Sequence, residues 1–466
     1  MTNTELVFPA AVVEELRNHL IRDDGLERFA VAYCGKSSDR FLAADIHPIA
    51  DDELAQQGSG MCRPNHELEG EHVNQCVDEG KHPIFIHSHP FADRNVGFSG
   101  FDDEIMGQVG NWLKPHFRDI EVLFAVFGER SVIASRYDSE NNQVETLPVD
   151  IVGEWKLKEP LHRSSGVTRE LDSVVDEVVY DRNIRALTEE GQHRLSTTRV
   201  GIIGAGGLGS IIAEQLVRLG VEDLVMVDPD VVEKSNLPRL QGATSADLER
   251  SKVTVIRDHL QAIDPEIRAE PYQCVAQETE DALGRCDILI GGVDRMNARM
   301  WINEFAVKHL IPFIDAGVRI EKEDETVTAM KGCIQVITPG ATACLSCLNR
   351  EDFEQARIER MDDQELESEI ERGYIEDSAL TPEPAVIHLN GLVASKAVDE
   401  LVKLVTGISE PDSLVEYEGF ENELSTLDVP PAPQCTVCGG DMLGRGSSLP
   451  NIPEIGSIEG DTMEAD

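Results

Sequence analysis

The stretch VGIIGAGGLGS (Val200 to Ser210) constrains the chain most. Gly204, Gly206 and Gly209 form a G-x-G-x-x-G turn between a short apolar run and a segment with helical apolar spacing. Glycines at these positions permit a tight turn, and Gly206 and Gly207 let a phosphate approach a helix N-terminus. From about Thr198 onward, strand-like and helix-like segments alternate: VGIIG, SIIAEQLVRLG, DLVMVD, SKVTVIRDHLQAI, CDILIGGVD, MWINEFAVKHL and PFIDAGV. That order predicts a Rossmann-like, doubly wound α/β domain with a parallel sheet. Asp228 closes the second strand, 24 residues after Gly204, where an acid can hold ribose hydroxyls. Dinucleotide oxidoreductases use the same device, so the turn alone leaves hydride transfer and nucleotidyl transfer both open.

The residues that follow separate the two. VDPDVVEKSNLPRL (Val227 to Leu240) adds Asn236 and Arg239, Lys252 opens the next helix, and Asp294 closes a later strand. Hydride transfer has little use for two cations and an amide around phosphate. Transfer at the α-phosphate of ATP uses them, with cations stabilising developing charge and an aspartate carrying Mg²⁺.

In these motifs the chain resembles the ubiquitin-activating family, specifically the bacterial-type MoeB/ThiF/HesA adenylyltransferases, over about Val179 to Gly440. The resemblance implies ATP and Mg²⁺ as cofactors, with Arg239, Lys252 and Asp294 as catalytic residues. YDRN (Tyr180 to Asn183) is similar to the family's arginine-bearing N-terminal helix, which implies that Arg182 reaches ATP, either in its own protomer or across a homodimer. The pairs CLSC (Cys344, Cys347) and CTVC (Cys435, Cys438) match the family's structural zinc. Four thiolates suit tetrahedral Zn²⁺, and 87 residues separate the pairs. Two departures stand out. Leu240 follows Arg239 where the family has glutamine, and Gln241 comes next. The crossover from Glu371 to Gly391 contains no cysteine, so acyl-adenylate formation is expected without an obvious thioester or persulfide step.

The chain carries a second chemical signature a hundred residues earlier, IFIHSHPFADRNVGFSGFDDE (Ile84 to Glu104). His87 and His89 alternate at the end of a strand and can present both rings on one side. Asp102 opens the next helix. Two imidazoles and a carboxylate leave a fourth position for water, as a catalytic zinc requires. Solvated loop residues would produce the same letters. HSHP and SGFD resemble the E…HxHP…SxxD motif of the JAB/MPN (JAMM) isopeptidases, with a nine-residue spacer from Pro90 to Phe98, two longer than the common pattern. That resemblance implies Glu27 as base, Ser99 as oxyanion donor, and a second, catalytic zinc on His87, His89 and Asp102. CRPNHELEGEHVNQC offers another set of ligand types (Cys62, His66, His72, Cys76), read as an ordinary loop and helix. His19, His47 and His116 are read as packing or surface residues.

The expected organisation is therefore an α/β JAB/MPN-like domain over residues 1–149, a linker over 150–178, the adenylation domain over 179–440, and a disordered acidic tail over 441–466. With 87 Asp and Glu against 41 Lys and Arg, the net charge of −46 disfavours nucleic acid and anionic membrane as partners. No apolar run is long enough for a membrane span, and paired CxxC motifs in a cysteine-dilute chain point to a cytoplasmic metalloprotein. Both resemblances converge on one substrate: a small ubiquitin-like or sulfur-carrier protein ending in Gly-Gly. A sulfurtransferase or conjugation partner would act downstream. The alternatives are adenylation alone, with an inactive carrier-binding module, and an NAD-dependent oxidoreductase.

Overall fold

The computed structural model describes residues 4–113, 120–138, 143–159, 161–163, 175–323, 325–372, 375, 384–440 and 442–447. They form two compact units. One comprises 1–170 with 308–310 and 440–466, and the other 171–307 with 311–439.

In the first unit the elements run β1 (Glu5–Pro9), α1 (Ala10–Leu20), β2 (Phe29–Ser37), β3 (Arg40–Pro48), β4 (Leu54–Gln57), β5 (Cys62–Pro64), α2 (His66–Asp78) and β6 (His82–Ser88). They continue with α3 (Gly100–Leu113), β7 (Val122–Phe127), β8 (Ser131–Asp138), β9 (Gln143–Leu147), β10 (Val149–Val152) and β11 (His162–Arg163). The main sheet has the order β10-β1-β3-β2-β6-β7-β8-β11, with β9 on β8. Alternation along β2 shows why this sheet is covered on both sides. Ala30, Ala32 and Cys34 pack with Val13, Leu16 and Leu20 of α1, whereas Phe29, Val31 and Tyr33 pack with Val73 of α2 and Met106 and Val109 of α3. The result is a three-layer α/β/α unit with both faces of β6 buried.

The polar stretch expected to begin a linker at Asp150 contributes instead to this sheet. Val149–Val152 pairs parallel to β1, and His162–Arg163 pairs parallel to β8. Short strands with one polar face lack a strong pattern of their own, so only pairing reveals them. At the other end of the chain, Leu443 packs against Val7, Leu42 and Val152, so residues 442–447 belong to this unit. The remainder of the expected tail, 448–466, lies outside the described residues, as does His116.

The second unit contains α4 (Asp181–Thr197), β12 (Arg199–Ile203), α5 (Gly207–Arg218), β13 (Asp223–Val227), α6 (Lys252–Ile263), β14 (Arg268–Tyr272), α7 (Glu280–Leu283), β15 (Ile288–Gly291) and α8 (Met296–His309). It continues with β16 (Phe313–Glu323), β17 (Thr326–Ile337), α9 (Phe353–Ile358), α10 (Asp363–Glu371), α11 (Ile387–Thr406), β18 (Leu414–Glu418) and β19 (Glu423–Leu427). The sheet order is β14-β13-β12-β15-β16-β17-β18-β19. The first five strands are parallel and the last three antiparallel. Strand order therefore reverses between β12 and β15, and the crevice at such a switch point is where open α/β sheets bind ligands. Among the described residues no helix is long and apolar enough to cross a membrane.

Candidate nucleotide site and metal centres

The glycine turn sits at that switch point, after β12 and before α5. Gly204 has φ +92, and a side chain there would press on Gly292 and Val293 of the loop after β15. A methyl group on Gly209 would collide with the Gly204 carbonyl oxygen, so the third glycine sets how closely α5 meets its own turn. Among the described residues nothing lies within 4 Å of the position a side chain on Gly206 would fill, leaving the first turn of α5 open to a ligand.

The turn is tied to the next strand by Asp228. Its Oδ2 accepts the Ala205 N–H at 2.7 Å, and its Oδ1 accepts the Asp230 N–H at 2.9 Å. Burial pushes the Asp228 carboxyl up, opposed by the positive charge of Lys252. Lys252 lies 4.0 Å from Asp228 and donates to Asp230 at 2.7 Å. Asp230 is a site neighbour that motif spacing did not single out. Arg239 lies beside Gly207, its Nη1 donating to the Ser235 carbonyl at 2.7 Å. Asn236 is buried, and its Oδ1 accepts the Glu233 N–H at 3.0 Å, which closes the turn that presents Arg239. Leu240, where the family has glutamine, is buried in the core, while the Gln241 N–H bonds Ser210 Oγ on α5 at 3.0 Å. Asp294 is exposed between β15 and α8, directly after the Val293 that touches the glycine turn.

Arg182 is the exception. It is exposed on the first turn of α4, and the neighbouring Tyr180 ring packs against Gly220, beyond the C-terminal end of α5. The glycine turn is at the other end of that 12-residue helix, about 18 Å away along its axis. Within one chain Arg182 does not join the site.

The four cysteines of the paired CxxC motifs do come together. Cys344 Sγ lies 3.7 Å from Cys347 and 3.5 Å from Cys435, and Cys347 Sγ lies 3.2 Å from Cys438. These separations are far above a disulfide bond. They approach the tetrahedron edge of about 3.8 Å that metal–sulfur bonds of about 2.3 Å require. Hydrogen bonds from the neighbouring thiols, that of Cys438 foremost, hold the Cys344 thiol well below its usual range. The Ala432 N–H donates to Cys347 Sγ at 3.3 Å, and the Leu345 N–H donates to Asn303 at 3.1 Å, fixing the loops that carry the sulfurs.

In the first unit, His87, His89 and Asp102 form the other group of converging ligand atoms among the described residues. The Nε2 atoms of His87 and His89 are 3.3 Å apart, and Asp102 Oδ1 and Oδ2 lie 3.2 and 3.5 Å from them respectively. Two nitrogens bound to one ion at about 2.0–2.1 Å in a tetrahedron would be about 3.3–3.4 Å apart, as these are, and each has an Asp102 oxygen at a comparable distance, so the group fits zinc. Against the opposing effect of burial, hydrogen bonds from His87 and Ser99 hold the Asp102 carboxyl well below its usual range. Glu27 Oε1 is 4.0 Å from His89 Nε2, and burial pushes its carboxyl up to about 7, with the Asp102 charge adding to the effect. Ser99 and Asp102 bond each other's backbone: Ser99 N–H to Asp102 Oδ2 at 2.6 Å, and Asp102 N–H to Ser99 Oγ at 3.2 Å. That is a capping box at the start of α3, so S-x-x-D has a structural role here too. Oγ accepts in that bond, and the hydroxyl also bonds the Asp102 carboxylate.

Arg28, which sequence reasoning missed, anchors this corner. The side chain is 1% exposed, pairs with Asp24 at 2.6 Å and Asp51 at 3.2 Å, and its backbone N–H donates to Ser88 Oγ at 2.9 Å. That bond registers Glu27 against the His87–His89 strand end. The Cys62, His66, His72 and Cys76 set does not converge. His72 instead bonds the Tyr33 hydroxyl at 2.7 Å, His66 pairs with Glu69, and Cys76 is in the core.

The fold and the glycine site define a nucleotide-binding enzyme of the Rossmann type built at a topological switch point. The ThiF family matches residues 180–437, more than half of the sequence, and the chain belongs to that family as a ThiF/MoeB-type adenylyltransferase. It is 30% identical to the sulfur carrier protein ThiS adenylyltransferase of Escherichia coli over 54% of this chain and 90% of that one. It is 27% identical to the molybdopterin-synthase adenylyltransferase of the same organism over 56% and 95%. It is 26% identical to the SAMP-activating enzyme E1 of Haloferax volcanii over 54% and 83%.

Proposed function

We propose that this chain is a fused activator and protease for one small ubiquitin-like or sulfur-carrier protein ending in Gly-Gly. In the adenylation half, a carboxylate oxygen of the terminal glycine attacks the α-phosphorus of ATP. Pyrophosphate leaves, and the carrier becomes acyl-AMP. The open first turn of α5 at Gly206 receives phosphate, while Arg239 and Lys252 offset the charge that develops. Asp294 would hold Mg²⁺, which neutralises phosphate charge when bound. The placement of Arg182 at the far end of α5 supports a homodimer in which each copy completes the other's site. Cys344, Cys347, Cys435 and Cys438 would hold a structural zinc, whose chemistry is to lock two distant chain segments together. A sulfurtransferase or conjugation partner would then take the activated carrier, and ATP dependence points to the cytoplasm.

In the protease half, His87, His89 and Asp102 would hold zinc, which when bound acidifies water and polarises a carbonyl. Glu27 takes the water proton and delivers it to the leaving amine, and its raised carboxyl suits both transfers near neutrality. The Ser99 hydroxyl donates to the developing oxyanion. The cut would remove an extension or conjugate and expose the glycine carboxylate that the other half consumes. The observation that carries this reading is the set of 3.2–3.5 Å separations among His87, His89 and Asp102. A carrier with a short extension after Gly-Gly tests it: the chain should cleave at that junction, lose cleavage to a chelator, and lose it in His89→Ala. No cleavage by the wild type would leave adenylation alone, with the first unit a recognition module, a reading that the capping role of Ser99 and Asp102 favours. An NAD-dependent oxidoreductase predicts no AMP product, and membership of the ThiF family weighs against it.

A further inference from the structure

We infer that Asn390 is a positioning residue of the nucleotide site, acting through Gly207, and that its NH₂ end donates to phosphate when nucleotide is bound. The inference rests on the adenylation reading and adds a residue to it. Asn390 lies in the first turn of α11, 183 residues after Gly207, and is 2% exposed.

Three observations converge on it. A methyl group built on Gly207 would collide with Asn390 Nδ2, so the carboxamide occupies the space beside the first residue of α5. Arg239 Cδ borders the same position at 3.5 Å, which puts the amide, the arginine and the helix N-terminus around one point. Asn390 Oδ1 is buried and, among the described residues, has no hydrogen-bond partner.

A buried amide oxygen left unpaired costs folding free energy, and an apolar residue of similar shape would avoid that cost. A polar group kept in such a place is explained by a ligand or a ligand-driven shift that pairs it. The open side of Gly206 marks where phosphate enters. A phosphate there accepts hydrogen bonds, and the NH₂ end of the carboxamide, already beside Gly207, can donate to it. Asn390 thus sets that turn before binding and donates to the phosphate after it.

The test uses the full chain and ATP with Mg²⁺, read by thermal unfolding with and without nucleotide and by calorimetric titration. Wild type should show an ATP-dependent rise in Tm. Asn390→Leu should keep or raise the Tm of the free protein while binding ATP about tenfold more weakly. Asn390→Asp, which sets a carboxylate against phosphate, should weaken binding about a hundredfold. Gly207→Ala should lose binding, and Gly207→Ala combined with Asn390→Ala should regain most of it, because the obstructing amide is gone. A purely structural asparagine would give the opposite pattern, a fall in the free-protein Tm with unchanged ATP affinity, and that result overturns the inference. A double variant no better than Gly207→Ala also overturns it. Wild type that binds no ATP overturns both this inference and the adenylation reading. Wild type and Asn390→Leu binding equally well overturn only the role of Asn390.

Discussion

Asp228 Oδ2 accepts the Ala205 N–H at 2.7 Å, so the end of one strand holds the glycine turn that follows another. The same carboxylate takes the Asp230 N–H, and Asp230 in turn pairs with Lys252. One buried acid thereby sets the turn, the β13 loop and the start of α6. Asp228→Ala leaves two backbone donors without acceptors and should cost about 2–4 kcal/mol of stability. Asp228→Asn, able to accept only one of them, should fall between. Urea unfolding of the three proteins measures this, and equal midpoints would contradict it.

Gly209 cannot be replaced without moving α5 off its turn, because a Cβ would overlap the Gly204 carbonyl oxygen. Gly209→Ala should abolish ATP binding, whereas Gly206→Ala, with open space around it, should leave the fold intact and obstruct only the nucleotide. Titration with ATP alongside far-UV circular dichroism separates the two.

Metal content should be about two zinc per chain, one for each group of converging ligands. Cys347→Ser should remove one and lower the Tm strongly, since it unties the CLSC and CTVC segments. His89→Ala should remove the other with little change in Tm. Elemental analysis of the purified proteins decides, and a wild type with one zinc that survives Cys347→Ser would reverse the assignment.

The first unit should lose stability in mild acid through His82. Burial holds its imidazole down to about 4, with Lys36 adding to the effect and Glu121 opposing it. Between that value and the unfolded value of about 6.5, the unfolded chain binds a proton that the folded chain refuses. The contribution is fully present above about pH 6.5 and fades toward about pH 4, by up to about 3 kcal/mol. His82→Phe should flatten the pH dependence of unfolding across that window.

Much of the site was legible because its chemistry lies in short local patterns. Gly204 to Gly209, Cys344 with Cys347, and His87 with His89 each declare themselves within a few residues, and the strand–helix alternation places them. What stayed hidden depends on distant partners. Arg28 acquires its role only when Asp51, 23 residues on, folds back to it, and Asn390 meets Gly207 from the opposite end of the domain. β10 and β11 have too little apolar alternation to stand out from a polar stretch and are defined by pairing alone. Arg182 could be recognised as chemically apt, but its position at the far end of α5 required the fold.

The central claim is that this chain activates the C-terminal glycine of a small carrier protein. Carrier-dependent exchange of labelled pyrophosphate into ATP tests it most directly. The account predicts exchange only when a carrier ending in Gly-Gly is present, with loss of at least about a hundredfold, roughly 2.7 kcal/mol of transition-state stabilisation, in both Asp294→Ala and Arg239→Ala. Exchange that proceeds without carrier, or that survives both substitutions, would contradict it.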